Sequence, residues 1–245
     1  MTRFDQQHVL VTGGTSGIGE AIARSFALAG ATVVATGVSE SEVRSAREQW
    51  SAADLANLSA EVLDVTNESS IATLVNGLER LDVLVQCAGI IVRGGGEFTI
   101  EGFERVVDIN LTGAMRVATA CRALLAQRGG AIVNLASMLS FFGSGFVPGY
   151  SASKGGISQL TKSLAIAWAP QKIRVNAIAP GWIVTPLTQP LVDDAGRRQA
   201  IVDRTPLGRW GEPDDVVGAV QFLCSPAAGF ITGVVLPVDG GFSIA

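Results

Sequence analysis

The sequence predicts a doubly wound α/β fold, in which seven parallel strands form one sheet with helices on both faces. Three observations predict it. Short β-branched runs bounded by glycine or turn residues recur along the chain, and stretches of helical length and periodicity separate them. Most of the runs are apolar throughout instead of alternating, as parallel strands covered on both faces are.

The elements follow in order. His8 to Val11 is the first strand, and Gly17 to Ala29 the first helix. Thr32 to Thr36 leads to the helix Glu40 to Trp50, where Ser39 and Glu42 have the S-x-x-E spacing of a capping box. Ala60 to Val65 precedes the helix Asn67 to Leu78, and Asp82 to Gln86 precedes one long helix from Gly102 to Gln127. Ala131 to Leu135 is followed by the helix Tyr150 to Ala169, and Arg174 to Ala179 by a stretch without clear periodicity, Trp182 to Gly211. That stretch exceeds an ordinary connection and is read as a lid. Pro213 suits the first position of the last helix, which runs to Cys224, with Asp214 and Asp215 facing the positive end of its dipole. Val234 to Val238 completes the sheet.

Composition bounds the function. With 245 residues, 48% hydrophobic and only 16% charged, the chain can bury a large core, which excludes disorder and fits a single domain over residues 1–245. A net charge of −4 and a pI near 5.1 leave no basic surplus for a phosphate backbone, so nucleic acid is not an expected partner. Cys87, Cys121 and Cys224 are odd in number and far apart, without C-x-x-C spacing; neither a disulfide framework nor a metal site is expected. No apolar run approaches about 18 residues, and no basic segment with an apolar stretch opens the chain, so a cytoplasmic protein away from membranes is expected.

Directly after the first strand comes Thr12-Gly13-Gly14-Thr15-Ser16-Gly17-Ile18-Gly19, spaced G-x-x-x-G-x-G, and then a helix. Glycines there let backbone turn tightly and approach a pyrophosphate, while the helix N-terminus offers unpaired N–H groups and partial positive charge. The plain alternative is a turn joining strand to helix. Tyr150, the only tyrosine, and Lys154 stand four apart on one helix face. A phenol with an ordinary pKa near 10 is a weak base at neutral pH, but an adjacent ammonium favours phenolate; lowering it by ~2–3 units takes roughly 3–4 kcal/mol. A surface Tyr/Lys pair is the alternative. Ser137 lies just past the carboxyl end of the fifth strand, where doubly wound sheets place ligands, although a serine there is often a turn residue.

Together these pieces resemble the classical short-chain dehydrogenases/reductases over nearly the whole chain. The matching residues are the glycine turn, Asp64-Val65, Cys87-Ala88-Gly89, Asn110, Ser137, Tyr150 with Lys154, and Pro180-Gly181 followed by Ile183 and Thr185. The resemblance implies a Rossmann-type fold that binds NAD or NADP and moves a hydride to or from a secondary alcohol or ketone. It also implies roles: Gly13, Thr15, Ser16, Gly17, Ile18 and Gly19 at the pyrophosphate, Gly37, Val38 and Ser39 near the adenine ribose, and Asp64 and Val65 at the adenine. Cys87, Ala88 and Gly89, with Pro180, Gly181, Ile183 and Thr185, would complete the coenzyme site. Tyr150 would be the acid/base, Lys154 would lower its pKa and hold the nicotinamide ribose, Ser137 would bind the substrate oxygen, and Asn110 would anchor a water leading from Lys154 to solvent. A homotetramer is implied as well, with the long helices and the apolar C-terminal end at its interfaces. One departure stands out: Gln86-Cys87-Ala88-Gly89 replaces Asn-Asn-Ala-Gly, and a thiol cannot match the amide that helps tie the central strands together unless a neighbour compensates.

Two questions of specificity follow. No acid stands at the end of the second strand in Thr36-Gly37-Val38-Ser39, Glu40 being taken as helix charge, and no basic residue stands there or at Ser16. Small residues leave room for a 2′-phosphate without demanding it, which slightly favours NADP over NAD. Arg93, Met138 and Trp182 are candidates to line the substrate site, Arg93 as a carboxylate clamp or a solvated loop residue. Ala136 to Phe141 and Gly208 to Gly211 resemble the sugar-acid branch, the 2-deoxygluconate and 2-dehydro-3-deoxygluconate dehydrogenases. A 3-oxoacyl carrier-protein reductase is the enzymatic alternative, and a nonenzymatic dinucleotide-binding protein the alternative of another class.

Overall fold

The computed structural model describes residues 3–53 and 55–245. Seven strands, β1 (His8–Thr12), β2 (Thr32–Gly37), β3 (Leu58–Val62), β4 (Val83–Gln86), β5 (Ala131–Leu135), β6 (Arg174–Pro180) and β7 (Val235–Val238), form one sheet in the order β3-β2-β1-β4-β5-β6-β7. Every neighbouring pair is parallel. The chain winds outward from β1 in one direction and from β4 in the other, so the crevice beyond their carboxyl ends is the switch point where this architecture binds ligands.

Helices cover both faces because both faces of the strands are apolar. On one side α1 (Gly17–Leu28), α2 (Glu40–Ala52) and α9 (Pro213–Cys224) bury Phe26, Trp50 and Val220 against Val9, Val33 and Val133. On the other, α3 (Glu68–Asn76), α5 (Gly113–Ala126) and α6 (Pro148–Trp168) bury Ile71, Leu125 and Trp168 against Leu10, Leu84 and Ile132. Each large side chain so buried contributes about 1.5–3 kcal/mol.

Three expected boundaries move. β3 runs two to three residues earlier than its apolar pattern suggests, because it is an edge strand and its pairing stops where β2 stops, at Gly37 opposite Val62. The single helix expected from Gly102 to Gln127 starts earlier, capped by the Thr99 side chain, as α4 (Ile100–Val107), and widens into a π-turn over Asp108–Thr112 before α5. The stretch Trp182 to Gly211 contains α7 (Gln189–Val192) and α8 (Ala195–Arg204), and its ends are joined by a bridge between Ile183 and Gly211. It is a helical excursion closed at its base. Among the described residues, no helix is long and apolar enough to cross a membrane.

Candidate active site

The glycine turn is built for close approach of backbone. Gly13 has φ of +62°, and a Cβ there would lie 2.8 Å from the backbone N and Cα of Ala88, while a Cβ on Gly19 would overlap the Gly13 carbonyl oxygen. The turn is tied down by Gly14 N–H donating to the Thr36 carbonyl and Cys87 N–H donating to that of Thr12. Ser16 at the N-cap of α1 is extended and its side chain caps nothing, so the first N–H groups of the helix are left to an anion. These features fit the pyrophosphate of a dinucleotide.

The acidic residue that seemed absent from the end of β2 is supplied by α2. Glu42 Oε2 accepts from Val38 N–H at 3.0 Å, and a Cβ on Gly37 would meet that oxygen and Thr15 Oγ1, each at 2.8 Å. Only half of the expected capping box forms: Ser39 Oγ accepts from Glu42 N–H, but the Glu42 carboxylate reaches past Ser39 to Val38. The first helical turn folds the carboxylate back over the strand end, which residue spacing in a strand does not reveal. Beyond β3, Asp64 Oδ1 accepts from both the N–H and the hydroxyl of Thr66, and Val65 is buried against Gly113 at the start of α5.

The loop after β4 joins the two halves of the crevice. Ala88 abuts Gly13, and Gly89 abuts Asn110 and Lys154: a Cβ on Gly89 would stand 3.2 Å from Asn110 Oδ1 and 3.9 Å from Lys154 Nζ. Asn110, inside the π-turn, accepts from Ile90 N–H at 2.8 Å and donates to the Ile90 carbonyl and to Ser153 Oγ. Its amide braces this loop against α6. Cys87 packs against the core; burial pushes its thiol up to about 12, with the charge of Lys154 pulling the other way. The lost amide has a substitute in Gln86, whose Nε2 donates to Asn134 Oδ1 on β5, while Asn134 donates to Thr161 on α6.

Ser137, Tyr150 and Lys154 meet at the carboxyl end of β5. Ser137 opens a 3₁₀ turn (Met138–Ser140), accepts from Leu139 N–H and lowers the proton affinity of the Tyr150 phenol beside it. Ser140, which the sequence reading passed over, donates to the Lys154 carbonyl and so locks this turn to α6. Lys154 is 3% exposed; its Nζ donates to the Leu135 carbonyl and stands 5.5 Å from the centre of the Tyr150 ring.

Burial dominates both protonation equilibria. It pushes the Tyr150 phenol up to about 12; Ser137 pulls it down, Glu97 pushes it up and Arg93 pulls it down. Burial likewise brings the Lys154 ammonium down to about 8. Desolvation penalises both charged forms, phenolate and ammonium alike. The neutral phenol is a proton donor.

The remaining candidates divide. Gly181 packs so closely on Asp239 that a Cβ would lie 2.7 Å from it, Ile183 is buried, and the Thr185 N–H donates to Thr188 Oγ1, which fixes the backbone beside Gly17. Arg93 donates to the Leu187 carbonyl at 2.8 Å and pins the excursion to the loop after β4. Met138 is buried. Trp182, expected to line the substrate site, packs its ring against Trp210 and Phe242 at 5.6 and 6.2 Å between centres.

Comparison with known proteins settles the family. A family model described as enoyl-(acyl carrier protein) reductase, within the short-chain dehydrogenases/reductases, matches residues 13–243. The chain is a short-chain dehydrogenase/reductase. As such it is an NAD(P)-dependent oxidoreductase acting on CH–OH groups. This short-chain dehydrogenase/reductase is 40% identical over 238 residues to the 2-dehydro-3-deoxy-D-gluconate 5-dehydrogenase of Bacillus subtilis (strain 168), covering 95% of this chain and 93% of that one. It is 36% identical over 246 residues to the galactitol 2-dehydrogenase (L-tagatose-forming) of Cereibacter sphaeroides, with 99% and 97% covered. The crystal structure of a gluconate 5-dehydrogenase from Burkholderia cenocepacia in complex with NADP and tartrate superposes with a TM-score of 0.92 at 34% identity, over 99% of this chain and 97% of that one. Solved neighbours of the same fold thus carry the coenzyme that the glycine turn fits.

Proposed function

We propose that residues 1–245 act as one catalytic domain interconverting a secondary alcohol and a ketone on a small polyhydroxylated substrate, a sugar acid or a polyol. The observation that carries this reading is the convergence of Ser137, Tyr150 and Lys154 at the carboxyl end of β5, next to Gly89, whose loop abuts the glycine turn through Ala88. The substrate class is supported by the relatives named for gluconate derivatives and galactitol.

A nicotinamide coenzyme would be held by the glycine turn, Asp64 and the backbone from Pro180 to Thr185, and when bound it would supply or accept the hydride. The protein's own residues handle the proton. In reduction, Ser137 holds the carbonyl oxygen and the neutral Tyr150 phenol donates its proton to that oxygen. Lys154, with its ammonium brought down to about 8, gives up and regains a proton near neutral pH and restores the phenol. Oxidation of the alcohol runs the same transfers in reverse. Arg93 and the excursion it pins would close the substrate end of the cleft, where a guanidinium suits a carboxylate.

We infer further a homotetramer in the cytoplasm. Apolar side chains stand exposed on α5 and α6, at Met115 and Ile166, and near the C-terminal end, at Phe230 and Ile244, and such surfaces call for a partner. Sedimentation as a monomer at micromolar concentration would contradict the assembly. The test of function is a panel of aldonates, ketoaldonates, hexitols and an acetoacetyl thioester, followed by absorbance of the reduced coenzyme. Turnover of the sugar acids or polyols is expected; turnover of the thioester alone would overturn the reading.

A further inference from the structure

We propose that Glu97 is a positioning residue for this reaction: its buried carboxylate ties the loop after β4 to the first turn of α6 and thereby fixes where the Tyr150 side chain stands. The inference rests on the acid/base reading of Tyr150, but the clamp itself does not.

Glu97 is 1% exposed. An ionised carboxylate out of water is tolerated only where charge-assisted hydrogen bonds replace its solvation, and Glu97 has two. Oε1 accepts from Val92 N–H at 2.9 Å and Oε2 from Tyr150 N–H at 2.8 Å. The second acceptor answers a need that α6 cannot meet locally. Its N-cap is Val147, whose side chain accepts nothing, and Pro148 follows at the first turn. The N–H of Tyr150 therefore takes its partner from 53 residues upstream, where the negative charge also meets the positive end of the helix dipole. Gly149 leaves the necessary space: a Cβ there would press on Oε2 at 3.3 Å and on Phe103 Cα at the same distance. One side chain thus joins the loop that carries Arg93 to the helix that carries Tyr150.

The same carboxylate acts on the phenol through space. The charged and polar groups around Tyr150 are Glu97 and Arg93 from the loop after β4, Ser137 from the end of β5, and Lys154 from α6 itself. Of these, Glu97 alone is negative. Removing its charge favours phenolate, so the pH above which carbonyl reduction fails must fall.

Three measurements test the proposal. In the wild-type protein, hydrogen exchange resolved at single amides should show the N–H groups of Val92 and Tyr150 protected at least about 100-fold over exposed amides; exchange at the exposed rate overturns the clamp. In Glu97→Gln, which keeps the shape but sets an NH2 group against one of the two donors, both amides should lose protection. There kcat should fall at least about tenfold, the smaller end of what a misplaced acid/base costs, with KM less affected. The alkaline limb of the reduction profile should move to lower pH. Unchanged kcat, or a loss of kcat with the limb in place, overturns the positioning role. Should Glu97→Gln fail to fold, exchange in the wild-type protein decides the clamp, and Glu97→Asp, which keeps the charge on a shorter arm, should lose kcat while its limb stays at the wild-type pH. Tyr150→Phe separates the two readings: full turnover in that variant removes the acid/base role and leaves the clamp to be judged by exchange alone.

Discussion

The Lys154 ammonium donates to the Leu135 carbonyl and lies 5.5 Å from the centre of the Tyr150 ring, one helical turn away. The two side chains are neighbours, yet the two residues are tied differently, Lys154 by its ammonium to β5 backbone and Tyr150 by its N–H to Glu97. Their losses should therefore differ. Tyr150→Phe removes a proton and little else, and should lower kcat by ~10²–10⁴ while coenzyme binding, followed by quenching of tryptophan fluorescence, stays near the wild-type value. Lys154→Met removes a charge and frees the Leu135 carbonyl, so both kcat and coenzyme affinity should drop. Equal coenzyme affinity in the two variants would show that Lys154 holds no part of it.

Glu42 gives a second prediction, on coenzyme choice. Its carboxylate sits at the end of β2, bonded to Val38 N–H and packed beside Gly37 and Thr15. A 2′-phosphate brought there meets like charge, whereas a 2′-hydroxyl does not. Glu42→Gln should therefore tighten NADP binding severalfold relative to NAD, whichever coenzyme the wild-type protein prefers. Calorimetric titration of both coenzymes into both proteins measures the ratio; no change in it would place the carboxylate away from the ribose.

These two glutamates mark where the sequence stops being legible. The strands were readable because a buried parallel strand must be apolar throughout, and the glycine turn because only glycine permits Gly13 to lie against Ala88. Tyr150, Lys154 and Ser137 were readable from helical spacing and strand ends. Glu42 and Glu97 were not, since both act on backbone N–H groups that any residue carries, Glu97 across 53 positions. The end of β3 was misplaced because Leu63 and Val65 are buried beyond the edge of the pairing, so hydrophobicity outlasts the strand. The phenol's burial was not legible, because spacing reports the nearby ammonium and says nothing of the desolvation that pushes the phenol up.

Stability at alkaline pH should be set by the core thiols. Burial pushes Cys87, Cys121 and Cys224 all up to about 12, with Lys154 pulling Cys87 back and Arg174 pulling Cys224 back, and pushes the Tyr150 phenol up to about 12 as well. An unfolded thiol titrates near 8.5, so above that pH the unfolded chain releases protons that the folded chain keeps, and stability falls as pH rises toward 12. Lys154 opposes this: with its folded value down at about 8, the unfolded chain binds more protons up to about 10.4, and stability rises through that window. At ~1.4 kcal/mol per unit, three thiols and one phenol outweigh one lysine, and the net loss by about pH 11 is several kcal/mol. Cys121→Ala removes one titration. Its urea midpoint should start lower at pH 8, by a cavity cost of about 1 kcal/mol, and then decline less steeply to pH 11; parallel declines would refute the assignment.

The glycine turn offers the sharpest contrast between local strain and function. Gly13 and Gly94 both have positive φ, +62° and +67°, so alanine at either should cost about 1 kcal/mol or a little more in backbone strain. Only at Gly13 does the added methyl also collide, 2.8 Å from the Ala88 backbone, whereas nothing lies within 4 Å of it at Gly94. Relief of that collision must push apart the turn after β1 and the loop after β4, the two segments that frame the crevice. Gly13→Ala should therefore abolish measurable coenzyme binding and lower the urea midpoint well beyond the strain cost, while Gly94→Ala should lower it slightly and bind coenzyme as the wild type does. Equal behaviour of the two variants would mean that the contact between Gly13 and Ala88 does not shape the coenzyme site.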